Sequence, residues 1–435
     1  MSGTLMVLAG GLLVLVALFL SGLPVYLCFI LLIGASVIVI FGEAGFGMIA
    51  NSIYAVGTTE ALTTVPLYVL MGEILMRSGS IDVLFSSIDK LVGGVRGRQY
   101  HMTLTLSAIL GAPAGSGIAV AAMLGRSVMP PMVKRGYDPE LTAGVMMGGA
   151  LLAPIIPPSV LAIIIGTLAD VSISDLLIAG ILPGIVLTLL YVGIVLYKVW
   201  RNPALAPQES YVRPSRPQKL IAVAKMIPFS LIIFVSVGLI MVDFATASEA
   251  AALGTLAALI ESFYYRRMRL KDYIQAAGDS AVLSAVILII MASAILFGQI
   301  LAFTGGIQEL GNAIGALKEN RWLIFFLMML LPFVLCMFVD QIGLMMVLIP
   351  IYEPLVKTLD FDPVWFWMQF LINMVVGAIT PPFGYIIFAL KAAVPGMTLA
   401  QLYRPAWLFV GATVAGMALF TLFPEIITVL PRLMK

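Results

Sequence analysis

Two short runs hold the residue types with chemistry to offer: Pro154-Ile155-Ile156-Pro157-Pro158-Ser159 and Ala378-Ile379-Thr380-Pro381-Pro382-Phe383, each set inside apolar sequence. Proline lacks a backbone N–H and clashes with the preceding turn, so each run must interrupt a helix. The interruption frees carbonyl oxygens that, with Ser or Thr hydroxyls, suit a hard cation such as Na⁺, and the exposed half-helix N-termini suit a carboxylate. Upstream of each run lies a second interruption, GAPAGSG at 111–117 with Ser116 and VDQIG at 339–343 with Asp340. An acid inside an apolar stretch is functional by default. Asp340 is read two ways: as a contact to ion or substrate, or as a hairpin cap or structural pair.

Non-helical backbone at membrane depth leaves polar groups without partners, costing several kcal/mol each, so it persists only where it lines a cavity or meets a ligand. Here the interruptions are stated twice. An offset of 224 residues pairs Asp138 with Asp362, Pro139 with Pro363, Pro130 with Pro354, and Pro157-Pro158 with Pro381-Pro382. An offset of 226 pairs MGEILMRSGSIDVL (71–84) with FGQILAFTGGIQEL (297–310) at six identities in fourteen, too regular for chance. Paired breaks in two repeats point to the binding site of a secondary transporter near the midplane.

The elements that must position these runs are membrane helices. Hydrophobic residues make up 61% and charged residues 11% of the chain, and mean hydropathy is +1.10. About ten crossings of ~20 residues would use that much apolar sequence, and no soluble domain would. The expected fold is an all-α polytopic membrane protein of two inverted repeats with re-entrant helical hairpins and broken helices. Residues 1–60 form N-terminal scaffold helices, with 4–20 as a first span rather than a cleaved leader, 25–42 as a second, and 43–60 as Gly-rich connection. Residues 61–200 form the first repeat, with a hairpin at about 103–132 and a broken helix at 139–168. In that hairpin the apolar run Thr103–Leu110 is worth only ~12 Å of helix. Residues 201–280 hold a cytoplasmic loop and scaffold helices. Residues 281–435 form the second repeat, with a hairpin at about 322–352 and a broken helix at 363–392. Residues 81–95 and 307–320 read as amphipathic segments lying in the interface. Basic residues dominate 198–226 and 266–272; both then lie on the cytoplasmic side.

Other polar residues have plainer readings. Thr246 and Glu249 have capping-box spacing. Glu73 aligns with the neutral Gln299, which favours hydrogen bonding over charge. Asn373 either hydrogen-bonds the break or meets substrate. Lys391 and Arg404 either snorkel or counter a substrate carboxylate. His101 reads as a surface loop residue, and Cys28 and Cys336 as buried thiols.

These residues also carry a family likeness. PPMVKRGYDPELTAGV, APIIPPSVLAIIIG, ISDLLIAGILPG, TASEAAALG, MFVDQIGLMMVLIPI and FDPVWF…NMVVGAITPPFGYIIFALK, in this order over nearly the whole chain, resemble the large membrane subunit of tripartite ATP-independent periplasmic (TRAP) transporters. The resemblance implies a Na⁺-driven importer of organic acids in a bacterial or archaeal inner membrane. Its transport core would move as an elevator against a scaffold. It implies two Na⁺ sites and no organic cofactor. Two partners are implied besides membrane lipid: a separate small four-helix membrane subunit and an extracytoplasmic substrate-binding protein; no nucleic acid is involved. Carried over by position, the first sodium site takes backbone oxygens around Ala114 and Ser116 with those of Ala153, Ile156 and Pro158. The second takes Gly377, Thr380 and Phe383, facing Asp340 and Gly343. The substrate would lie against Gly115, Gly117, Ser159, Asn373, Pro381 and Pro382. The first hairpin tip has fewer Ser, Thr or Asp oxygens than is usual in the family, and Phe383 stands where a small aliphatic is common.

Other function classes fare worse. A single histidine, no HExxH pair and no GxGD aspartate motif speak against a membrane enzyme, and without a Gly-Lys-Ser/Thr loop ATP does not drive this chain directly. The serious rival is a self-sufficient sodium-coupled anion symporter or antiporter of the wider ion-transporter group. A structural scaffold would have no reason to repeat costly breaks.

Overall fold

The computed structural model describes residues 10–434 other than 12, 16, 20, 93, 115, 209–213, 266, 307–308 and 310–319, with the backbone alone at 82, 110 and 112–114. Among the described residues every regular element is helical. Among these residues four helices are long and apolar enough to cross a bilayer unbroken: Ile173–Arg201 (bent at Gly180), Arg216–Met241, Leu270–Phe303 and Leu399–Leu422. Several of the remaining helices are short or interrupted where Gly and Pro recur in apolar sequence.

The two repeats correspond element by element. The first hairpin has arms Arg98–Ala114 and Gly117–Ser127; the second has arms Arg321–Leu335 and Gln341–Thr358. The first broken helix has a leading half Pro139–Leu152 and a trailing half Val160–Leu168. In the second these are Pro363–Gly377 and Tyr385–Ala393. Asp138 and Asp362 start the leading halves alike, accepting hydrogen bonds from the N–H of Leu141 (2.7 Å) and Trp365 (3.1 Å), each with proline at the first helical position. Both Pro157-Pro158 and Pro381-Pro382 are cis.

The correspondence also reaches upstream. Helix Val25–Phe41 matches Ala247–Tyr265, and the interrupted pair Ala44–Thr58 and Thr64–Ser78 matches the single 34-residue helix Leu270–Phe303. Each unit thus has five crossings besides its hairpin, the last being Ile173–Arg201 in the first unit and Leu399–Leu422 in the second, with Arg216–Met241 opening the second unit. An odd number inverts the second copy relative to the first.

Four readings of the sequence change. Residues 44–58 are helix rather than connection: Gly45 lets the chain fold tightly back, since a Cβ there would sit 2.6 Å from Val37 Cγ1. The first hairpin arm begins at Arg98 and has 17 residues, not an eight-residue run, because Gln99, His101 and Thr103 are buried in protein instead of facing lipid. His101 is therefore an interior residue, not a surface one. The basic segment 198–226, read as loop, is already helix from Arg216 onward, where Ser215 and Gln218 form a capping box. Most of the second amphipathic segment, 307–320, lies outside the described residues, whereas the first is a helix, Ser80–Leu91, burying Leu84, Ser87 and Ile88.

Candidate functional site

The broken helices and hairpins interlock. Each hairpin packs on the leading half of its own repeat's broken helix, and its second arm reaches the trailing half of the other repeat's. Small residues make this possible. A Cβ on Gly111 would overlap Ala153 at the start of the first break. A Cβ on Gly117 would lie 2.8 Å from both Ala150 O and Ile386 Cδ1, so this glycine is wedged between both repeats. In the second repeat the small partner changes sides: Gly377 opposes Cys336, whose Cβ would be 2.6 Å from an added one. The Cys336 thiol donates to Met374 O (3.1 Å), tying the second tip to its leading half.

At the first break, Ala153, Pro154, Ile155, Pro157, Pro158 and Ser159 are buried and Ile156 half-buried. The Ser159 hydroxyl donates to Pro154 O (2.5 Å) and accepts from Ala162 N–H (3.1 Å), so it closes the break and caps the trailing half. Ser116 likewise caps the hairpin's second arm, accepting from Ala119 N–H at 3.4 Å. Among the described residues no protein donor reaches the carbonyls of Ala153, Ile156 or Pro158. Buried carbonyls are rarely left so. Ala114 ends the first arm, and Gly115 lies outside the described residues.

At the second break, Thr380 is buried but Pro382 and Phe383 are exposed. The Thr380 hydroxyl donates to Val376 O (2.8 Å), and its N–H takes the Gly377 carbonyl (3.0 Å). The carbonyls of Thr380 and Phe383 have no protein donor among the described residues, while Pro382 O accepts from the Tyr403 hydroxyl (2.5 Å). The Phe383 ring meets Phe338 of the hairpin tip, centroids 5.3 Å apart. Gly384, at φ +27°, turns the chain into the trailing half.

The residues expected at the second site divide. Asp340 caps the second arm, accepting from the N–H of Ile342 (3.0 Å) and Gly343 (3.3 Å). Gly343 itself turns its Cα toward Val25 and Phe19 of the N-terminal helices rather than toward the break. Asn373 donates to Met329 O (2.7 Å), the structural of its two readings. Lys391 donates to the carbonyls of Pro395 (2.8 Å) and Met397, which commits its ammonium to the following loop. Glu73 pairs with Arg77 (3.1 Å), and Thr246 with Glu249 as a reciprocal cap. Sequence reasoning passes over Gln341 and Tyr385, each the first residue of a helix at this site. Their only signal is polarity: the repeat offset sets Gly117 and Leu161 opposite them.

Residues 12–426 match the family described as "Tripartite ATP-independent periplasmic transporter, DctM component". The C4-dicarboxylate TRAP transporter large permease protein DctM of Pseudomonas aeruginosa is 26% identical over 92% of this chain and 92% of its own length. The sialic acid TRAP transporter large permease protein SiaM of Vibrio cholerae is 25% identical, covering 95% and 96%. The ectoine/5-hydroxyectoine TRAP transporter large permease protein UehC of Ruegeria pomeroyi is 28% identical, covering 75% and 76%. Among solved structures, the Alcanivorax borkumensis YdaH transporter superposes with a TM-score of 0.65 over 89% of this chain and 91% of its own, at 13% identity, a likeness of fold.

Proposed function

The chain belongs to the DctM-component family of tripartite ATP-independent periplasmic transporters, and from that premise we propose that it imports an organic acid anion with Na⁺ across a bacterial or archaeal inner membrane. In this reading an extracytoplasmic substrate-binding protein delivers the anion, and a small four-helix membrane subunit completes the permease. The unpaired carbonyls of Ala153, Ile156 and Pro158 and those of Thr380 and Phe383 carry the proposal. A desolvated carbonyl without a donor is costly, and a hard cation with little ligand preference beyond oxygen relieves that cost.

Ser116 and Asp340, at equivalent places on the two hairpin tips, hold the arms' N-termini in register beside these oxygens. Ala114 and Gly377 complete the sites proposed for the cations. Gly343 contributes through the N–H it gives Asp340, because its open face is turned to the N-terminal helices. The anion would sit where the half-helix N-termini converge, against Gly117, Ser159, Pro381 and Pro382, with Asn373 holding the second arm pair. The interlocked hairpins and broken helices move as one body against Val25–Phe41, Ala247–Tyr265 and their neighbours, an elevator motion that exposes the site to each side in turn.

The test is uptake into proteoliposomes of the purified permease with both partners. Uptake of a labelled organic acid is expected only with an inward Na⁺ gradient and added binding protein. Uptake by this chain alone would favour the self-sufficient symporter; Na⁺-independent uptake would remove the ion coupling.

A further inference from the structure

The two sites differ most at the first residue of the helices that begin at each tip and break. In the first repeat these are Gly117 and Leu161's neighbour Val160, with Leu161 at the position that the 224-residue offset equates with Tyr385. In the second repeat they are Gln341 and Tyr385. Gln341 is 8% exposed, and its Oε1 finds no hydrogen-bond partner among the described residues. The Tyr385 hydroxyl is equally shut from solvent and without a partner, within electrostatic reach of Asp340 and the Cys336 thiol at the same tip.

Every other polar side chain named around this break is spent. Asp340 serves Ile342 and Gly343, Cys336 serves Met374, Asn373 serves Met329 and Thr380 serves Val376. Buried polar groups in native proteins are nearly always paired, so two orphans beside one carboxylate call for a ligand that supplies the missing partners.

Resting on the transport reading above, we propose that Gln341 and Tyr385 are the residues that select the transported anion. The Tyr385 O–H donates to a carboxylate oxygen, and the Gln341 amide pairs with a second polar group of the substrate, such as a hydroxyl or amide. Both stand at N-terminal helix positions, where the backbone already favours negative charge. The first repeat, with Gly117 and Leu161 at the equivalent places, grips the substrate through backbone alone. Selection is therefore one-sided although the fold is two-fold. A site built to hydrogen-bond a substrate group rejects analogues that lack it far more strongly than an apolar pocket does.

The experiment uses the complete permease with its binding protein in proteoliposomes, probed with a C4-dicarboxylate, sialic acid and ectoine. Whichever probe the wild type takes up is carried into the variants Tyr385→Phe and Gln341→Met. Each is expected to raise KM at least about tenfold, the size of one hydrogen bond to a charged or buried polar partner, with the Na⁺ half-saturation unchanged. Thermal unfolding without substrate separates binding from structure. Deleting an unpartnered buried group should leave Tm equal or higher, whereas a structural role would lower it. An unchanged KM, a lowered substrate-free Tm, or a shift confined to the Na⁺ half-saturation overturns the proposal. Wild-type protein that takes up none of the probes even with Na⁺ and binding protein counts instead against the transport reading itself.

Discussion

The two breaks have the same Pro-Pro pair, the same offset from an Asp-Pro helix start and the same hairpin beside them, yet they are finished differently. The first is sealed: all its residues but Ile156 are buried, and Ser159 spends both hydrogen-bonding roles closing the break and capping the helix that follows. The second is open. Phe383 stands where Ser159 does, 53% exposed and resting on Phe338, and the Thr380 hydroxyl returns to its own helix. The duplicated backbone leaves carbonyl oxygens unpaired at both breaks, while the side chains have diverged so that one break is closed by its own hydroxyl and the other is not.

The sharpest way to break that comparison is at the glycines that set the hairpins against the breaks. Gly117→Val should cost ~3 kcal/mol or more and abolish transport, because its Cβ would collide with Ala150 O of its own repeat and Ile386 Cδ1 of the other. Thermal unfolding of the purified complex measures it. Gly377→Ala should cost about 1–3 kcal/mol through its clash with Cys336. The double change Gly377→Ala with Cys336→Gly should recover much of that loss, since it recreates the Gly111–Ala153 arrangement of the first repeat. No recovery would mean that the two interfaces are not equivalent.

Next in size is the pair of hydroxyls. Ser159→Ala removes a helix cap and leaves a buried carbonyl unpaired, about 2 kcal/mol together; Thr380→Ala removes only a bond within its own helix and should cost under ~0.5 kcal/mol. Equal losses in denaturant unfolding would erase the distinction between a sealed and an open break. Smallest is the Phe338–Phe383 contact, for which a double-mutant cycle to alanine should return about 0.5–1 kcal/mol.

How much of this can be read from sequence follows from what carries each feature. The breaks, the Asp138 and Asp362 caps and the hairpin arms are legible because Pro, Gly and Asp act through local backbone geometry. The Thr246–Glu249 cap is legible for the same reason. Helix 44–58 is hidden because its glycines read as connection, whereas Gly45 serves close packing against Val37. The start at Arg98 is hidden because Gln99, His101 and Thr103 look polar and are buried by other segments, a fact no local pattern holds. At the site, the repeat marks candidate residues, but not how their hydrogen bonds are spent. Asn373 and Lys391 keep their candidacy until Met329 O, Pro395 O and Met397 O are seen beside them. Gln341 and Tyr385 pass unnoticed until their lack of partners shows.

The claim beneath the rest is that carbonyls left unpaired at two helix breaks bind sodium. Equilibrium binding of radioactive Na⁺ to the purified chain, with K⁺ holding ionic strength constant, tests it without recourse to substrate or partners. The account predicts saturable binding of two ions per chain that K⁺ does not displace. Binding that never saturates, or that K⁺ competes away at equal concentration, would contradict it.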